Sequence, residues 1–499
     1  MTPTDGRMGP TLFERSRPGR GGGKVPHPPK DALARIPSGL LRAEGSRLPE
    51  VSEPELARHY VKLSQLNYSI DTGFYPLGSC TMKYNPKIGE WAARLTGFAA
   101  LHPLAPDALS QGTLQLLWEL EGALAEIGGM KAVTLQPAAG AQGELTGILM
   151  VRAYHRSRGD FDRTEVLVPD SAHGTNPATA SMAGFKTVSI PSAPDGGVDV
   201  EAFRSALGLH TAAVMITNPS TLGLFEARLC ELLEAVHEAG ALAYMDGANL
   251  NAIMGRFKPG EAGFDVMHIN VHKTFSTPHG GGGPGAGPVG VGDKLLPFLP
   301  SPRVLRAEEG TYRLEGTGER PTSIGRMRSF AGNTGVLIRA YTFIRANGGT
   351  GLREVSEDAV LAANYLKARL GGVLDVPFAR PCMHEFVASS ATLKSETGIR
   401  TLDVAKRLID YGIHPPTIYF PLTVEEALLI EPTETESIET LDAFVEALAS
   451  IVAEAHAAPE LLHSAPHNSP VRRVDETTAA RQPNLRWKAM TGSQTPCPD

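Results

Sequence analysis

Residues 212–249 read AAVMITNPSTLGLFEARLCELLEAVHEAGALAYMDGAN. The apolar run 212–219 predicts a strand, the amphipathic segment 227–240 predicts a helix, and 241–248 predicts a second strand. Neither apolar run alternates with polar residues, so both strands are expected to be covered on two faces, as in a parallel sheet. A strand–helix–strand unit of this kind indicates an α/β fold.

The same alternation continues on both sides of this unit. Further helices are predicted at 111–129, 143–157 and 198–208, and further strands at 132–137, 165–170, 187–192 and 265–273. Repeated helices and strands predict a large domain with a mostly parallel, doubly wound sheet. From about residue 350 the pattern changes to helices at 354–371, 401–412 and 438–456 with short strands at 384–390 and 427–432. This second pattern predicts a smaller α+β domain.

The sequence therefore predicts four regions. Residues 1–75 are assigned to an N-terminal arm and one helix that contact another subunit. Pro and Gly are too frequent in the first 50 residues for long helices, so a disordered tail is the open alternative for those 50 residues. Residues 76–345 form the large domain and 346–470 the small C-terminal domain. Residues 471–499 form a polar tail.

Composition excludes several classes of protein. The 499 residues carry 47 Lys and Arg against 54 Asp and Glu, a net charge of -7, which argues against nucleic-acid binding as the main task. No apolar run approaches the ~20 residues that span a bilayer, so no membrane contact is predicted. The four cysteines are far apart, which excludes a zinc ribbon or a disulfide scaffold and indicates a reducing, cytoplasmic compartment. No metal site is predicted.

A lysine lies between an apolar strand and a glycine-rich loop in the segment NVHKTFSTPHGGGG, residues 270–283. Lys273 has His272 and His279 near it in sequence. Burial and nearby positive charge make a lysine amine a better nucleophile toward an aldehyde. Taken alone, Lys273 is equally well a solvated loop residue.

Three upstream features change that interpretation. Asp246 ends a predicted strand at the sheet edge where ligands bind, and a buried carboxylate there holds a pyridinium nitrogen protonated. His173 follows another strand and is placed to stack on an aromatic cofactor. The backbone amides of Gly140 and Ala141 begin a predicted helix and point at an anion. Each residue alone has an ordinary role in a cap or turn, but together with Lys273 they supply what pyridoxal phosphate requires.

The segment 285–290 matches the dinucleotide fingerprint G-x-G-x-x-G. A strand should precede that motif and a helix should follow it, whereas here glycines precede it and VGV follows. The sequence therefore does not predict NAD binding through this loop.

Five longer motifs carry a family resemblance. They are DTGFYPLGSCTMKYNPK (71–87), QPAAGAQGE (136–144), DSAHGTNPATA (170–180), MDGANLNA (245–252) and VHKTFSTPHGGGGPGAGPVGV (271–291). These motifs closely resemble the glycine cleavage system P-protein, the pyridoxal-phosphate-dependent glycine dehydrogenase family. YGIHPPTIYFPL and SPVRRVDETTAARQPNLRW extend the resemblance nearly to the end of the chain.

The resemblance implies the aspartate-aminotransferase-like fold, fold type I of the pyridoxal-phosphate enzymes. It implies that Lys273 binds the cofactor covalently, that Asp246 contacts the ring nitrogen, and that His173 stacks on the ring. These three are the implied catalytic residues. The full set of implied cofactor contacts is Lys273, Asp246, Ala248, His173, Gly140, Ala141, His272 and Asn218. Ala248 is assigned to the second ring face and Asn218 to the phenolic oxygen.

The resemblance also implies an activity and partners. The chain resembles only the lysine-bearing, C-terminal half of a family whose members are often twice this length. It implies decarboxylation of glycine and transfer of the aminomethyl group to the lipoyl arm of the H-protein, an oxidoreductase reaction without nicotinamide. It further implies a partner, subunit 1, in an α2β2 assembly.

Two other hypotheses stay open at this point. One is another fold type I enzyme, an amino acid decarboxylase or a desulfurase-like lyase, for which Cys382 is a remote candidate nucleophile. The other is a non-catalytic partner half, against which Lys273, Asp246 and His173 argue together.

Overall fold

The computed structural model describes residues 9–21, 29, 31–44, 48–279, 285–316 and 318–485. The chain divides into two compact units, one comprising Met1–Gly73 with Ser464–Asp499 and the other comprising Phe74–His463. Part of the predicted arm, residues 280–284 of the glycine-rich loop and the end of the tail lie outside the described residues. Among those that are described, no helix is long and apolar enough to cross a membrane.

The helices of the described residues follow in chain order. They are α1 (Leu12–Arg15), α2 (Glu53–Gln65), α3 (Lys87–Ala93), α4 (Thr96–Ala99), α5 (Gln111–Gly128), α6 (Gly140–Ser157), α7 (Thr175–Met182), α8 (Val200–Ala206) and α9 (Leu229–Glu238). They continue with α10 (Pro259–Ala262), α11 (Val271–Thr274), α12 (Thr334–Leu370), α13 (Ala391–Thr397), α14 (Thr401–Asp410), α15 (Ile438–Ala457), α16 (Pro459–His463) and α17 (Glu476–Arg481). Single 3₁₀ turns occur at Leu33–Arg35, Ser38–Leu40, Asp107–Leu109, Leu250–Ala252 and Leu296–Phe298.

The strands in the described part of the chain form three sheets. They are β1 (Ala132–Thr134), β2 (Glu165–Pro169), β3 (Lys186–Ile190), β4 (Thr211–Thr217), β5 (Leu242–Gly247), β6 (Val266–Ile269), β7 (Val289–Val291), β8 (Val304–Arg306), β9 (Tyr312–Leu314), β10 (Phe386–Ser389), β11 (Thr417–Ile418) and β12 (Ala427–Ile430). The largest sheet has seven strands in the order β1-β7-β6-β5-β4-β2-β3. Strands β3, β2, β4, β5 and β6 are parallel, and β7 is antiparallel to both of its neighbours. The predicted mostly parallel sheet is confirmed.

The two faces of this sheet are covered by different apolar clusters. Val214 and Ile216 of β4 belong to the cluster that contains Leu120 of α5. Met215, between them, belongs to the opposite cluster with Ile148 of α6. Each such side chain contributes roughly 1.5–3 kcal/mol when it is fully buried. Burial on both faces explains why the strands show no polar alternation.

Strand register brings polar side chains together at one edge. Thr217 at the end of β4 pairs with Asp246 of β5, and Asp246 pairs with His268 of β6. All three therefore lie side by side at the carboxyl ends of parallel strands, which is where ligands bind in such sheets.

The C-terminal part of the second unit has its own sheet and core. Strands β10, β12 and β11 form an antiparallel sheet in that order. Phe386, Leu428 and Phe444 pack there with the last turns of α12, in a cluster separate from those of the large sheet. Helix α12 is interrupted at Gly348, where φ is 62° and ψ is -177°. The predicted smaller α+β domain is confirmed.

Two of the differences from the sequence prediction affect the candidate site. Strand β6 ends at Ile269 and does not extend to Lys273, because the amides of Lys273 and Thr274 turn back to bond Asn270 O at 3.0 and 3.1 Å. Residues 175–182 form α7, which was not predicted. Its sequence TNPATASM has no apolar stripe, so hydrophobic periodicity carries no signal for it.

Candidate active site

A cavity of about 250 Å³ lies at the carboxyl edge of the large sheet. The ends of β4 and β5, the first turn of α6 and helix α11 line it. Seven of the eight predicted cofactor contacts are among its lining residues: Lys273, Asp246, Ala248, His173, Gly140, Ala141 and His272. The remaining one, Asn218, is fully buried outside the lining, and its Oδ1 accepts the amide of Glu226 at 3.0 Å.

Asp246 is almost completely buried and closely surrounded. Its Oδ2 accepts a hydrogen bond from Asn176 Nδ2 at 3.0 Å, and its Oδ1 accepts one from the amide of Ala248 at 3.0 Å. His268 Nε2 lies 3.2 Å from Oδ1. Burial raises the pKa of Asp246, but the adjacent His268 and these hydrogen bonds outweigh it and lower that pKa below its ordinary value. Asp246 is therefore a carboxylate at neutral pH.

Lys273 lies in the short helix α11 beside two histidines. The rings of His272 and His279 meet edge to face with their centroids 5.1 Å apart. Burial and the neighbouring His279 and Lys273 lower the pKa of His272 to about 3. Burial and Lys273 lower the pKa of His279 to about 4. Both imidazoles are thus neutral, and they do not supply the positive charge that the sequence suggested near Lys273.

The first turn of α6 has no side-chain cap for its backbone amides. Ala139 occupies the N-cap position and offers no side-chain acceptor to the helix amides. The backbone packs tightly here, because a Cβ on Gly140 would lie 2.4 Å from Asn270 Oδ1 and one on Gly287 would lie 2.1 Å from the Ala139 carbonyl. Uncapped amides at the N-terminus of a helix this long attract phosphate. Gly287 therefore serves packing against this turn, which agrees with the rejection of a dinucleotide motif.

A second buried carboxylate lies beside Asp246. Glu144 of α6 is 4% exposed, and its Oε2 accepts a hydrogen bond from Asn176 Nδ2 at 3.1 Å. Its Oε1 lies 2.8 Å from Thr175 Oγ1, which is also 2.8 Å from His173 Nδ1. Burial, followed by the charge of Asp246, raises the pKa of Glu144 to about 8. His173, Glu144 and Asp246 are thus connected through Thr175 and Asn176.

Residues 79–83 are held against the cavity by buried acidic side chains. Ser79, which lines the cavity, and Thr81 have left-handed backbones with φ of 63° and 49°. The amide of Ser79 donates to Glu385 Oε2 at 2.6 Å, and the amide of Thr81 donates to Glu431 Oε2 at 2.9 Å. A left-handed non-glycine residue is costly, so these hydrogen bonds supply a reason for the conformation to persist.

Lys83 connects the same segment to α11. Its Nζ donates to the carbonyl of Thr274 at 2.9 Å and to Glu434 Oε1 at 2.7 Å. Lys83 is only 3% exposed. The contact therefore fixes the backbone one residue after Lys273, and it gives the motif YPLGSCTMK a structural role beside the cavity.

Two buried groups of ionisable side chains have metal-like spacing. They are Glu144, Asp246 and His268, and His384, Glu385 and Glu431. In the first group, both oxygens of Asp246 and Oε2 of Glu144 already accept hydrogen bonds, and Glu144 Oε1 lies 2.8 Å from Thr175 Oγ1. The second group is absent from the residues that line the cavity. Neither group supports a metal ion in the candidate active site.

Cys382 does not have the properties of a catalytic thiol. It is 2% exposed and does not line the cavity. Burial raises the pKa of its thiol to about 12. Because the thiolate is the nucleophile in cysteine chemistry, this environment argues against a desulfurase-like reaction.

Sequence reasoning missed several residues of the site. They are Glu144, Thr175, Asn176, Thr217, Asn249, Asn270 and His268. One signal was available: Glu144 shares a face of α6 with the buried Ile148 and Val151, and a carboxylate on an apolar helix face is rarely structural. The asparagines and threonines offered no comparable signal.

The cavity fits pyridoxal phosphate. The uncapped turn of α6 suits a phosphate, ionised Asp246 suits a pyridinium nitrogen, and the amine of Lys273 suits an aldehyde. Asn270 Oδ1 and His272 Nδ1 are buried without a hydrogen-bond partner among the described residues. Both residues line the cavity, so both have capacity for a polar ligand.

Comparisons with known protein sequences identify relatives of this chain. Residues 355–472 match the family model described as Glycine dehydrogenase, C-terminal domain. The probable glycine dehydrogenase (decarboxylating) subunit 2 of Halalkalibacterium halodurans is 56% identical over 485 residues, which cover 96% of this chain and 98% of the relative. The protein of the same name from Methylococcus capsulatus is 57% identical over 480 residues, covering 96% of this chain and 98% of the relative.

Solved structures share the fold. A crystal structure of glycine decarboxylase (P-protein) of the glycine cleavage system, in inhibitor-bound form, matches with a TM-score of 0.70 at 25% identity, covering 84% of this chain and 94% of that one. Glutamate decarboxylase of Lactobacillus brevis matches with a TM-score of 0.64 at 14% identity, covering 86% of this chain and 97% of that one.

The architecture and the lysine-bearing cavity define the fold type I class of pyridoxal-phosphate enzymes. Within that class, sequence identity of 56–57% to these relatives over nearly the whole chain decides the family. The chain belongs to the family of glycine dehydrogenase (decarboxylating) subunit 2.

Proposed function

We propose that this chain is one subunit of an enzyme that decarboxylates glycine and transfers the remaining aminomethyl group to the lipoyl arm of the H-protein. One observation carries the proposal: Lys273 and Asp246 line the same cavity in a chain that is 56% identical to a probable glycine dehydrogenase subunit. Pyridoxal phosphate, bound through Lys273, supplies the electron sink that decarboxylation of an amino acid requires.

Asp246 has the central electrostatic role in this proposal. It is ionised and held by donors from Asn176 and Ala248, so it does not have to reorganise during the reaction. Its fixed negative charge would hold a proton on the nitrogen of a pyridine ring bound beside it. That proton would favour the electron-accepting state of the cofactor.

The other lining residues position the cofactor. The amides of Gly140 and Ala141 would hold the phosphate, and His173 and Ala248 would contact the ring. His272 adjoins the lysine from its own helix. Asn218, behind the lining, has an Nδ2 without a partner among the described residues, and we retain it as a second-layer contact toward the phenolic oxygen.

The proposal includes partners. The relatives carry the designation subunit 2, and we propose that subunit 1 completes an α2β2 assembly that admits the lipoylated H-protein. We assign residues 1–75 to subunit contacts, 76–345 to cofactor binding, 346–470 to the small domain and 471–499 to the tail. The described cysteines are free, which supports a reducing, cytoplasmic compartment.

Exchange of carbon between glycine and labelled bicarbonate tests the function. The purified chain with subunit 1 and lipoylated H-protein should exchange label, the chain alone should not, and Lys273→Ala with subunit 1 should be inactive. Full exchange activity of the chain without subunit 1 would contradict the proposal that a partner subunit is required. Decarboxylation of another amino acid, with glycine inert, would favour the alternative of a different fold type I decarboxylase.

A further inference from the structure

The hydroxyl of Thr175 connects two ionisable side chains of the cavity. Thr175 Oγ1 lies 2.8 Å from His173 Nδ1 and 2.8 Å from Glu144 Oε1. The hydroxyl has one proton, so it donates to one of these neighbours and accepts from the other. The direction of this pair of hydrogen bonds determines where the protons of both neighbours are.

The backbone of Thr175 selects the direction. Its amide points at the same His173 Nδ1 at 3.3 Å. An amide only donates, so Nδ1 presents its lone pair and the proton of neutral His173 is on Nε2. The Thr175 hydroxyl then also donates to Nδ1, and it must accept a proton from Glu144 Oε1. This pattern requires Glu144 to be a neutral acid.

The contacts of the other carboxyl oxygen, Oε2, are consistent with a neutral Glu144. Asn176 Nδ2 donates to Glu144 Oε2 at 3.1 Å and to Asp246 Oδ2 at 3.0 Å, so one amide group uses both of its protons to bridge the two acids. Thr179 Oγ1 lies 3.5 Å from the same Oε2. Oε2 is thus the acceptor oxygen of Glu144, and Oε1 is free to carry the proton.

The surrounding charges favour the same assignment. The polar and ionisable groups that face Glu144 are Thr175, Asn176 and Thr179 of α7, Tyr244 and Asp246 of β5, His268 of β6 and Lys273 of α11. Burial and the charge of Asp246 raise the pKa of Glu144 to about 8, whereas the pKa of Asp246 is lowered. When the pKa values of two neighbouring acids are shifted in opposite directions, one acid is the anion and the other is the proton donor.

We propose that Glu144 is a positioning residue for His173: as a neutral acid it acts through the Thr175 hydroxyl to keep the imidazole proton on Nε2. This inference rests on the proposed function, in which His173 adjoins the reacting groups. Ionised Glu144 instead accepts the hydroxyl proton, so the hydroxyl stops donating to Nδ1 and only the longer amide contact at 3.3 Å still opposes a proton on that nitrogen. His173 Nε2 then changes from a hydrogen-bond donor into an acceptor.

The test is the tautomer of His173 in the full-length chain labelled with ¹⁵N-histidine. Burial lowers the pKa of His173 below 6.5, so the ring is neutral between about pH 6.5 and pH 8. In that range the ring-nitrogen shifts of His173, assigned from their loss in His173→Gln, should report a proton on Nε2 alone, and the tautomer should change as the pH rises past about 8. In Glu144→Gln the side-chain amide donates to Thr175 at every pH, so the change of tautomer should be lost.

Two threonines provide a matched pair. Thr175→Val removes the connecting hydroxyl and should uncouple His173 from the pH step, whereas Thr179→Val removes the hydroxyl near Oε2 and should leave the step unchanged. A proton on Nδ1 of the neutral wild-type ring between about pH 6.5 and pH 8, or an unchanged step in Glu144→Gln or in Thr175→Val, would overturn the proposal. Because this readout needs neither cofactor nor glycine, it is independent of whether glycine exchange succeeds.

Discussion

Asp246 Oδ1 lies 3.2 Å from His268 Nε2, and the two residues are direct partners in the pairing of β5 with β6. The hydroxyl of Tyr244 contacts the other nitrogen of that ring, with Oη 3.0 Å from Nδ1. Burial raises the pKa of Tyr244, so its hydroxyl keeps its proton and donates to Nδ1. Neutral His268 then carries its proton on Nε2, the nitrogen nearer to Asp246, although Nε2 makes no hydrogen bond among the described residues. Strand register brings the two residues together but does not by itself align the N–H with the carboxylate.

Asp246→Asn should leave the chain folded but reduce glycine exchange by at least about a hundredfold, the typical effect of losing one group that stabilises developing charge. The reason is that a neutral amide no longer keeps the ring nitrogen protonated. Asp265→Asn is the matched control, since Asp265 is also buried, directly precedes β6, contacts His237 and Lys294, and lies outside the cavity lining. Near-normal exchange in Asp246→Asn would contradict the assigned role.

Lys273→Ala should abolish covalent attachment of pyridoxal phosphate while the fold persists. Borohydride reduction of the wild-type holoenzyme followed by peptide mapping should place the pyridoxyl group on the peptide that contains Lys273. Lys258→Ala should retain the label, because Lys258 makes surface ion pairs with Glu126 and Glu261. A pyridoxyl group on any other lysine of the wild-type protein would refute the assignment.

Gly287→Ala should destabilise the chain by about 1–3 kcal/mol, the usual cost of overpacking, and weaken cofactor binding. A Cβ there would lie 2.1 Å from the carbonyl of Ala139, which begins the turn that we assign to the phosphate. Gly122→Ala is the control, since no atom lies within 4 Å of its added Cβ in α5 and the change should stabilise the helix by up to about 1 kcal/mol. Chemical denaturation measures both effects, and equal stability of the two variants would contradict the packing argument.

His155 should make the chain sensitive to acid. Its Nε2 contacts the carbonyl of Ala212 at 2.8 Å, and burial lowers its pKa below the ordinary value of 6.5. The unfolded chain therefore takes up this proton first as the pH falls below about 6.5, and the free energy of unfolding decreases by up to ~1.4 kcal/mol per pH unit. Above about pH 6.5, neutral His155 makes its full contribution to the free energy of unfolding.

Denaturation curves between neutral pH and about pH 5 test this expectation by comparing wild type with His155→Gln. The variant should lose stability less steeply toward acid. His210→Gln, at an exposed position, should follow the wild-type slope. An identical slope in wild type and His155→Gln would show that the unfolding equilibrium does not depend on this histidine.

The sequence predicted the sheet well but the polar site only in part. Strands such as β4 and β5 could be predicted because uninterrupted apolar runs of their length are typical of buried strands in a globular domain. Helix α7 was missed because small and polar residues leave no periodic signal. The charge state of His272 and His279 was also beyond prediction, because it depends on burial that sequence neighbours do not reveal.

The sequence by itself determined the α/β class, the family resemblance and the identity of Lys273, Asp246 and His173 as candidates. These properties follow from local hydrophobic pattern and from motifs that are contiguous in the chain. Only the tertiary structure decided that Glu144 and Asp246 share the amide of Asn176, and that Thr175 connects His173 to Glu144. The physical reason is that protonation depends on burial and on neighbours within a few ångströms, and strand register and helix packing bring those neighbours from distant parts of the chain.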